Sequence, residues 1–184
     1  KSILNLMGQK EQHLVLLLHH GPHSSIPHAM PTDRKIQAGD IITIDFGCRY
    51  QGYTSDMTRT IFVKNIPEQV KPIYDLVLQN QEYAVNEIKE GANIKAINNV
   101  VENSFKFKGF SQVHALGHGV GLENHELPFI TLNNNQILKE NMVVTIEPGI
   151  YIPGKFGVRI EDTVLVTKEG KEILTQSEKG YVIV

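Results

Sequence analysis

The sequence predicts an α+β domain from three features: two β-rich blocks, a pair of amphipathic helices between them, and acidic residues set symmetrically about two hairpin turns. At 184 residues the chain sets a prior of one domain with room for a sizeable core, so residues 1–184 are read as a single unit. With 41% hydrophobic and 21% charged residues the composition is that of an ordinary globular protein, which sets aside disorder, collagen-like repeats and coiled coil. Eighteen basic against 20 acidic residues leave a formal charge of -2 and no basic field to draw in nucleic acid.

The elements follow in order. Leu14 to Leu18 is solid aliphatic and reads as a buried strand, far short of the roughly 20 residues that cross a bilayer. His19 to Arg34, crowded with His, Gly, Pro and Ser, reads as a long loop. Ile41 to Phe46 alternates as a strand after the Gly39-Asp40 turn, and Tyr53 to Val63 returns beside it across a tight Gln51-Gly52 turn. Pro67 opens a helix whose apolar set runs Val70, Ile73, Tyr74, Val77, Ala84, Ile88; after a break at Gly91, Ile94, Ile97, Val101 and Phe105 mark a second helix ending near Gly109. The second β block comprises Gln136–Glu140, Met142–Ile146, Ile150–Pro153, Gly157–Val166 and Glu172–Thr175. The single cysteine, Cys48, reads as a small core residue and favours a reducing compartment, which makes the cytoplasm the expected location.

The chemistry resides in acids placed on strands. Asp45 and Asp56 lie on the two arms of the first hairpin, opposite or diagonal on one sheet face and roughly 5 to 8 Å apart. Two like charges at that spacing need a shared proton, a basic partner or a cation. Glu147 and Glu161 repeat the construction, each seven residues from Gly154. Between the hairpins lies His118, flanked by glycines that permit close backbone approach and leave its imidazole facing a cavity. Asp45, Asp56, His118, Glu147 and Glu161 offer four carboxylates and one neutral nitrogen, and two divalent cations would cancel the charge. Bridging carboxylates would set such ions about 3.5 to 4 Å apart, the spacing used in two-metal hydrolysis.

Five ordered blocks resemble the pita-bread metallopeptidases of the Xaa-Pro aminopeptidase and Xaa-Pro dipeptidase (prolidase) branch. They are Ile44–Gly47, Tyr53–Thr60, His114–Leu122 with His125–Pro128, Thr145–Tyr151 and Gly157–Asp162. The resemblance implies a curved, mostly antiparallel sheet with helices on its outer face and metals on its inner face. It implies that Asp45 chelates one metal, His118 and Glu147 the other, and that Asp56 and Glu161 bridge both around a nucleophilic hydroxide. Manganese is the metal it implies first, with cobalt or zinc as substitutes. Glu147 also resembles the proton shuttle. His28 resembles a histidine contacting substrate or leaving nitrogen, His114 an additional active-site histidine, and His125 one that binds the substrate carbonyl. Arg159 resembles an arginine orienting Glu161 or substrate, and Arg59 belongs to a motif separating this branch from methionine aminopeptidases.

The expected substrate is therefore a proline-containing peptide or dipeptide, with no nucleic acid and no membrane as partner. Family members carry an N-terminal domain and helices ahead of the first strand, whereas only Lys1 to His13 precedes it here, so the fold is expected to be N-terminally shortened. A homodimer or a second polypeptide would then cover the bare sheet face. The alternatives are a noncatalytic pita-bread binding module and a metal-free enzyme of the creatinase kind. His13, His19, His20 and His23 follow no ligand spacing and receive no role, and Asp162 reads as a partner of solvent or of the metal ligands.

Overall fold

The computed structural model describes residues 14–27, 29–30 and 32–184. Strand β1 (Leu14–His20) lies antiparallel to β2 (Ile41–Tyr50), and a 3-10 turn, Gly21–Ser25, follows β1. β2 turns through Gln51 and Gly52, both at positive φ (50° and 88°), a two-residue geometry that suits the right-handed twist of the flanking strands. The return path is β3 (Tyr53–Thr54), an interruption at Ser55–Asp56, and β4 (Met57–Phe62). Pairing lapses at the interruption and resumes in the same register, Arg49 opposite Thr54 and then Phe46 opposite Met57.

Helix α1 (Lys71–Asn86) opens at Lys71 rather than Pro67; Pro72 occupies its first turn, and Pro67 instead starts the preceding turn, its carbonyl accepting from Val70 N. Helix α2 (Ile94–Phe107) is capped by the Asn93 side chain, which accepts from Ala96 N at 2.9 Å, a bond worth about 1 kcal/mol. There follow β5 (Gly117–Gly119), β6 (Glu126–Ile130), β7 (Val143–Ile146), β8 (Gly149–Ile152), β9 (Phe156–Arg159), β10 (Asp162–Val166) and β11 (Lys171–Ile173). A second sheet has the order β11-β10-β7-β5-β6, and β8 pairs with β9 as a separate hairpin.

The core lies beneath the helices and takes side chains from the second sheet, from the β8–β9 hairpin and, through Ile41 and Phe62, from the first sheet. Tyr74, Val77 and Ala84 of α1 and Ile97, Val101 and Phe105 of α2 are buried with Ile130, Val144, Ile146, Ile150 and Val158. Each such aliphatic side chain removed from water is worth roughly 1.5–3 kcal/mol. Val144 and Ile146 point into this core, and period-two alternation turns Thr145 the other way, where its hydroxyl accepts from His118 N at 3.1 Å. The helices thus cover one side of the sheet and leave the other for the site, as the α+β reading expects.

Three further expectations from the sequence need correction. The Leu14–Leu18 strand forms, but Leu16 and Leu18 are 53% and 41% exposed, β1 being an edge strand of the first sheet. Cys48 is half-buried near the hairpin end, 3.4 Å from Ser55 Oγ, rather than in the core. Gln136–Glu140 forms no strand, only a bridge between Ile137 and Asn93. Conversely, β5 and β6 were invisible to pattern reading, since β5 is glycine on both sides of His118 and β6 contains Leu127-Pro128.

Candidate metal centre

The second acidic hairpin explains how the site is assembled. Gly149 to Ile152 pairs with Arg159 to Phe156, and Val143 to Ile146 pairs with Leu165 to Asp162 in the same continuous register. Glu147 and Glu161 fall where these two ladders meet. There each main chain turns to a different partner: Glu147 N donates to Leu116 O at 2.8 Å and Glu161 N donates to Thr58 O at 3.1 Å. The hairpin crosses between the two sheets at this point and delivers both glutamates to the crossing.

Glycines make the approach of the other strands possible. A Cβ at Gly117 would sit 1.9 Å from Thr145 O, so only glycine lets β5 lie against β7 and carry His118 inward. At Gly47 a Cβ would sit 2.0 Å from Ser55 O. That contact is the interruption after β3, and it places Asp56 diagonal to Asp45 on one face, as the hairpin spacing predicts.

Asp45, Asp56, His118, Glu147 and Glu161 all line one cavity of about 290 Å³, together with His114, His125 and Arg159. The ligand atoms of His118, Glu147 and Glu161 lie within 4.8 Å of one another, as do those of Asp45, Asp56 and Glu161, and those of Asp56, His118 and His125. Glu161 is common to the first two groups. Of the sequence-predicted site residues, His28 lies outside the described residues.

Like charge in a buried space shapes the electrostatics. Burial, then the Asp45 charge, pushes the Asp56 carboxyl up to about 7. Burial raises Glu147 to about 8, with Asp56 and Asp45 adding to it against the opposing pull of Arg159. Glu161 is raised well above the usual carboxylate range by burial and then by Glu147. His118 moves the other way, its imidazolium disfavoured first by burial.

The donor set fits divalent cations on two further observations. Glu161 Oε1 is buried with no hydrogen-bond partner among the described residues, while Oε2 accepts from Thr58 Oγ1 at 2.8 Å. The His118 Nδ1–H donates to Gly119 O at 3.0 Å, which turns the Nε2 lone pair toward Glu147 Oε1 at 3.3 Å and Asp56 Oδ2 at 3.7 Å. Lone pairs facing carboxylate oxygens repel unless a proton or cation lies between them, and a backbone carbonyl fixing the far nitrogen is how ligating histidines are oriented.

The profile of metallopeptidase family M24 matches residues 3–168. The chain belongs to this family. Over 182 residues, 98% of the chain and 52% of the relative, this M24 chain is 42% identical to an Xaa-Pro dipeptidase of Pyrococcus horikoshii. In structure it matches an Xaa-Pro dipeptidase from Bacillus anthracis with TM-score 0.88 at 42% identity, covering 92% of this chain and 48% of that one. An aminopeptidase P variant from Escherichia coli matches with TM-score 0.81 at 27% identity, over 90% of this chain and 44% of that one. The M24 chain thus spans about half the length of the relatives it matches, and its pita-bread fold agrees with the expectation from the motifs.

Several partners of the site residues, Tyr151, Thr58 and Asn124, escaped the sequence reading. Arg159 Nη2 donates to Asp45 Oδ2 at 2.6 Å rather than to Glu161, and its Nη1 donates to Tyr151 Oη at 2.8 Å. His114 Nδ1 faces the Ala115 carbonyl at 2.8 Å, so it carries the proton; its Nε2 then accepts from Tyr151 Oη at 3.0 Å. Burial pushes the Tyr151 phenol up and keeps it a donor. Asn124 Nδ2 donates to Asp56 Oδ2 at 3.2 Å. Tyr151 sits four residues after Glu147 in a quoted motif, and Thr58 follows Asp56 by one strand period; Asn124, in a loop, had no signal. Asp162 does not face solvent: it is 1% exposed and paired with Arg59 at 2.7 Å and Lys179 at 2.8 Å.

Proposed function

We propose that this M24 chain, as one catalytic domain over residues 1–184, hydrolyses the peptide bond before proline in a dipeptide or longer peptide. The observation that carries the reading is the convergence of Asp45, Asp56, His118, Glu147 and Glu161 on one cavity around the unpartnered Glu161 Oε1. On this reading Asp45, Asp56, His118, Glu147 and Glu161 would hold the ions. Two divalent ions, manganese first with cobalt or zinc as substitutes, would lower the pKa of a water held between them to supply hydroxide, and would polarise the scissile carbonyl.

The protein's own groups do the rest. Arg159 anchors Asp45, Thr58 holds Glu161 and Asn124 holds Asp56, so each carboxylate is oriented before substrate arrives. His125, its ring centroid 4.3 Å from that of His118, stands at the cavity and donates to the developing oxyanion. Glu147 takes the proton from the attacking water and passes it to the leaving nitrogen, where His28 is the sequence-assigned contact. His114 is held by Tyr151 at the same cavity and orients the substrate. The prolidase relatives support a dipeptide substrate. Among the described residues no helix is long and apolar enough to cross a membrane, the lone cysteine accords with a cytoplasmic setting, and the exposed Leu16 and Leu18 accord with a homodimer.

The deciding experiment is turnover of Ala-Pro beside a longer Xaa-Pro peptide after reconstitution with Mn2+. Cleavage of either that stops on chelation and returns with metal is the expected result. Tight Mn2+ binding without cleavage of any Xaa-Pro substrate would instead identify a binding module.

A further inference from the structure

Behind the sheet, on the face of β4 away from the cavity, lies an ionic hub that the proposed chemistry does not use. Arg59 is 6% exposed and engages all five of its N–H donors. Nε donates to Glu178 O at 3.0 Å, and Nη2 donates to Asp162 Oδ1 at 2.7 Å and Ser177 O at 2.8 Å. Nη1 spans the strand crossing, donating to Thr58 O at 2.9 Å and to Glu161 O. Thr58 also holds the Glu161 carboxylate through its side chain, so one guanidinium clamps from behind the two residues that meet in front.

The hub is closed by the C-terminal segment. Four successive carbonyls, those of residues 177–180, turn inward: the first two accept from Arg59, and the last two, 2.9 and 3.0 Å from Tyr74 Oη, share its single O–H proton. Lys179 Nζ donates to Asp162 Oδ2 at 2.8 Å and Gln81 Oε1 at 3.0 Å, joining α1 to the same point. Beyond it the chain runs parallel to the end of β4, with Phe62 N donating to Val182 O at 2.9 Å and Val184 N donating to Phe62 O at 2.8 Å. The side chains of Ser177 and Glu178 face solvent, whereas Lys179 reaches Asp162 and the Tyr181 ring lies 4.9 Å from that of Tyr74, so main chain and side chains together hold this strap.

We propose that Arg59 is a positioning residue that sets Glu161 at the strand crossing, and that the strap of residues 177–184 holds Arg59, so that metal occupancy of the site and docking of the strap are energetically coupled. The inference rests on the metal reading of the site. It assigns a role to a segment more than ten residues past the last ligand. Coupling of this kind is reciprocal: metal binding must lower the equilibrium constant for strap opening by the factor that strap docking tightens the metal.

Isothermal titration with Mn2+ and hydrogen exchange of residues 177–184, each on the parent protein and on Arg59→Lys and Tyr74→Phe, test it. Lysine keeps the charge opposite Asp162 but loses the fork that spans Thr58 O and Glu161 O. It is expected to weaken one equivalent of Mn2+ about tenfold and to abolish the metal-dependent slowing of strap exchange. Tyr74→Phe, which leaves every Arg59 bond in place, is expected to speed strap exchange and weaken Mn2+ about fivefold. Should Arg59→Lys fail to fold, Tyr74→Phe decides alone. Faster strap exchange with unchanged Mn2+ affinity would reduce Arg59 and the strap to structural parts and overturn the inference. Failure of the parent protein to bind Mn2+ overturns the metal reading itself, and this inference with it.

Discussion

Arg159 is the cation that meets the acids of the cavity directly, and three of its four side-chain bonds have separate consequences. Through Nη2 it fixes Asp45; through Nε it reaches Thr58 Oγ1 at 3.1 Å, the hydroxyl that holds Glu161; through Nη1 it sets Tyr151 and hence His114. Arg159→Lys keeps a charge but cannot fork to all three, and is expected to lower Mn2+ affinity or kcat/KM by about 10- to 100-fold with little change in secondary structure by circular dichroism. Unchanged metal affinity and turnover in that variant would remove the orienting role. Glu161→Gln has effects of opposite sign. It should lose Mn2+, yet in chelator at alkaline pH it should melt above the parent protein, because it relieves a buried carboxyl whose ionisation is disfavoured. A melting temperature below the parent under those conditions would contradict the electrostatic account. Which acids gather was legible from strand position and symmetric spacing, whereas His114 and His125 were legible only through the family motifs. Which donor holds which acid was not, since rotamers and loops such as that of Asn124 leave no periodic trace.

At the level of elements, the interior glycines decide whether the strands can approach. Gly117→Ala and Gly47→Ala would each drive a methyl into a backbone carbonyl, at 1.9 and 2.0 Å, where no side chain can yield. Each is expected to cost at least about 1–3 kcal/mol in urea unfolding and to lower Mn2+ affinity. Gly170→Ala, whose Cβ would meet nothing within 4 Å, should match the parent in both measurements. Equal stability of all three variants would show that the close approaches relax freely. The two hairpins and both helices were readable, because alternation and 3.6-residue periods survive in their sequences. The strand around His118 was not, since the glycines that make it fit also erase its β signature.

For the whole molecule, the cluster makes stability depend on pH and metal together. The folded-state values for Asp56 and Glu147, about 7 and about 8, lie above those of unfolded carboxyls. Stability from these protonated groups is therefore fully present below the unfolded pKa of about 4 and is lost as pH rises through the folded values. The chelated protein should melt at progressively lower temperature from about pH 5 to about pH 8.5, and saturating Mn2+ should flatten that fall. A flat profile in chelator would mean that the acids are accommodated without a proton or a cation. The apolar periodicity of the two helices was enough to suggest a core beneath them. The division of labour between two sheets was not readable, because it depends on partner exchange at Glu147 and Glu161, where the sequence runs on without a break.

That exchange has a mechanical consequence. Glu147 is tied by its amide to one sheet and Glu161 to the other, so the gap between the two carboxylates is set by how the halves of the molecule sit against each other. A spectroscopic ruler across a bound manganese pair would therefore behave as a strain gauge, registering any flexing of one half against the other when a peptide is seated or released.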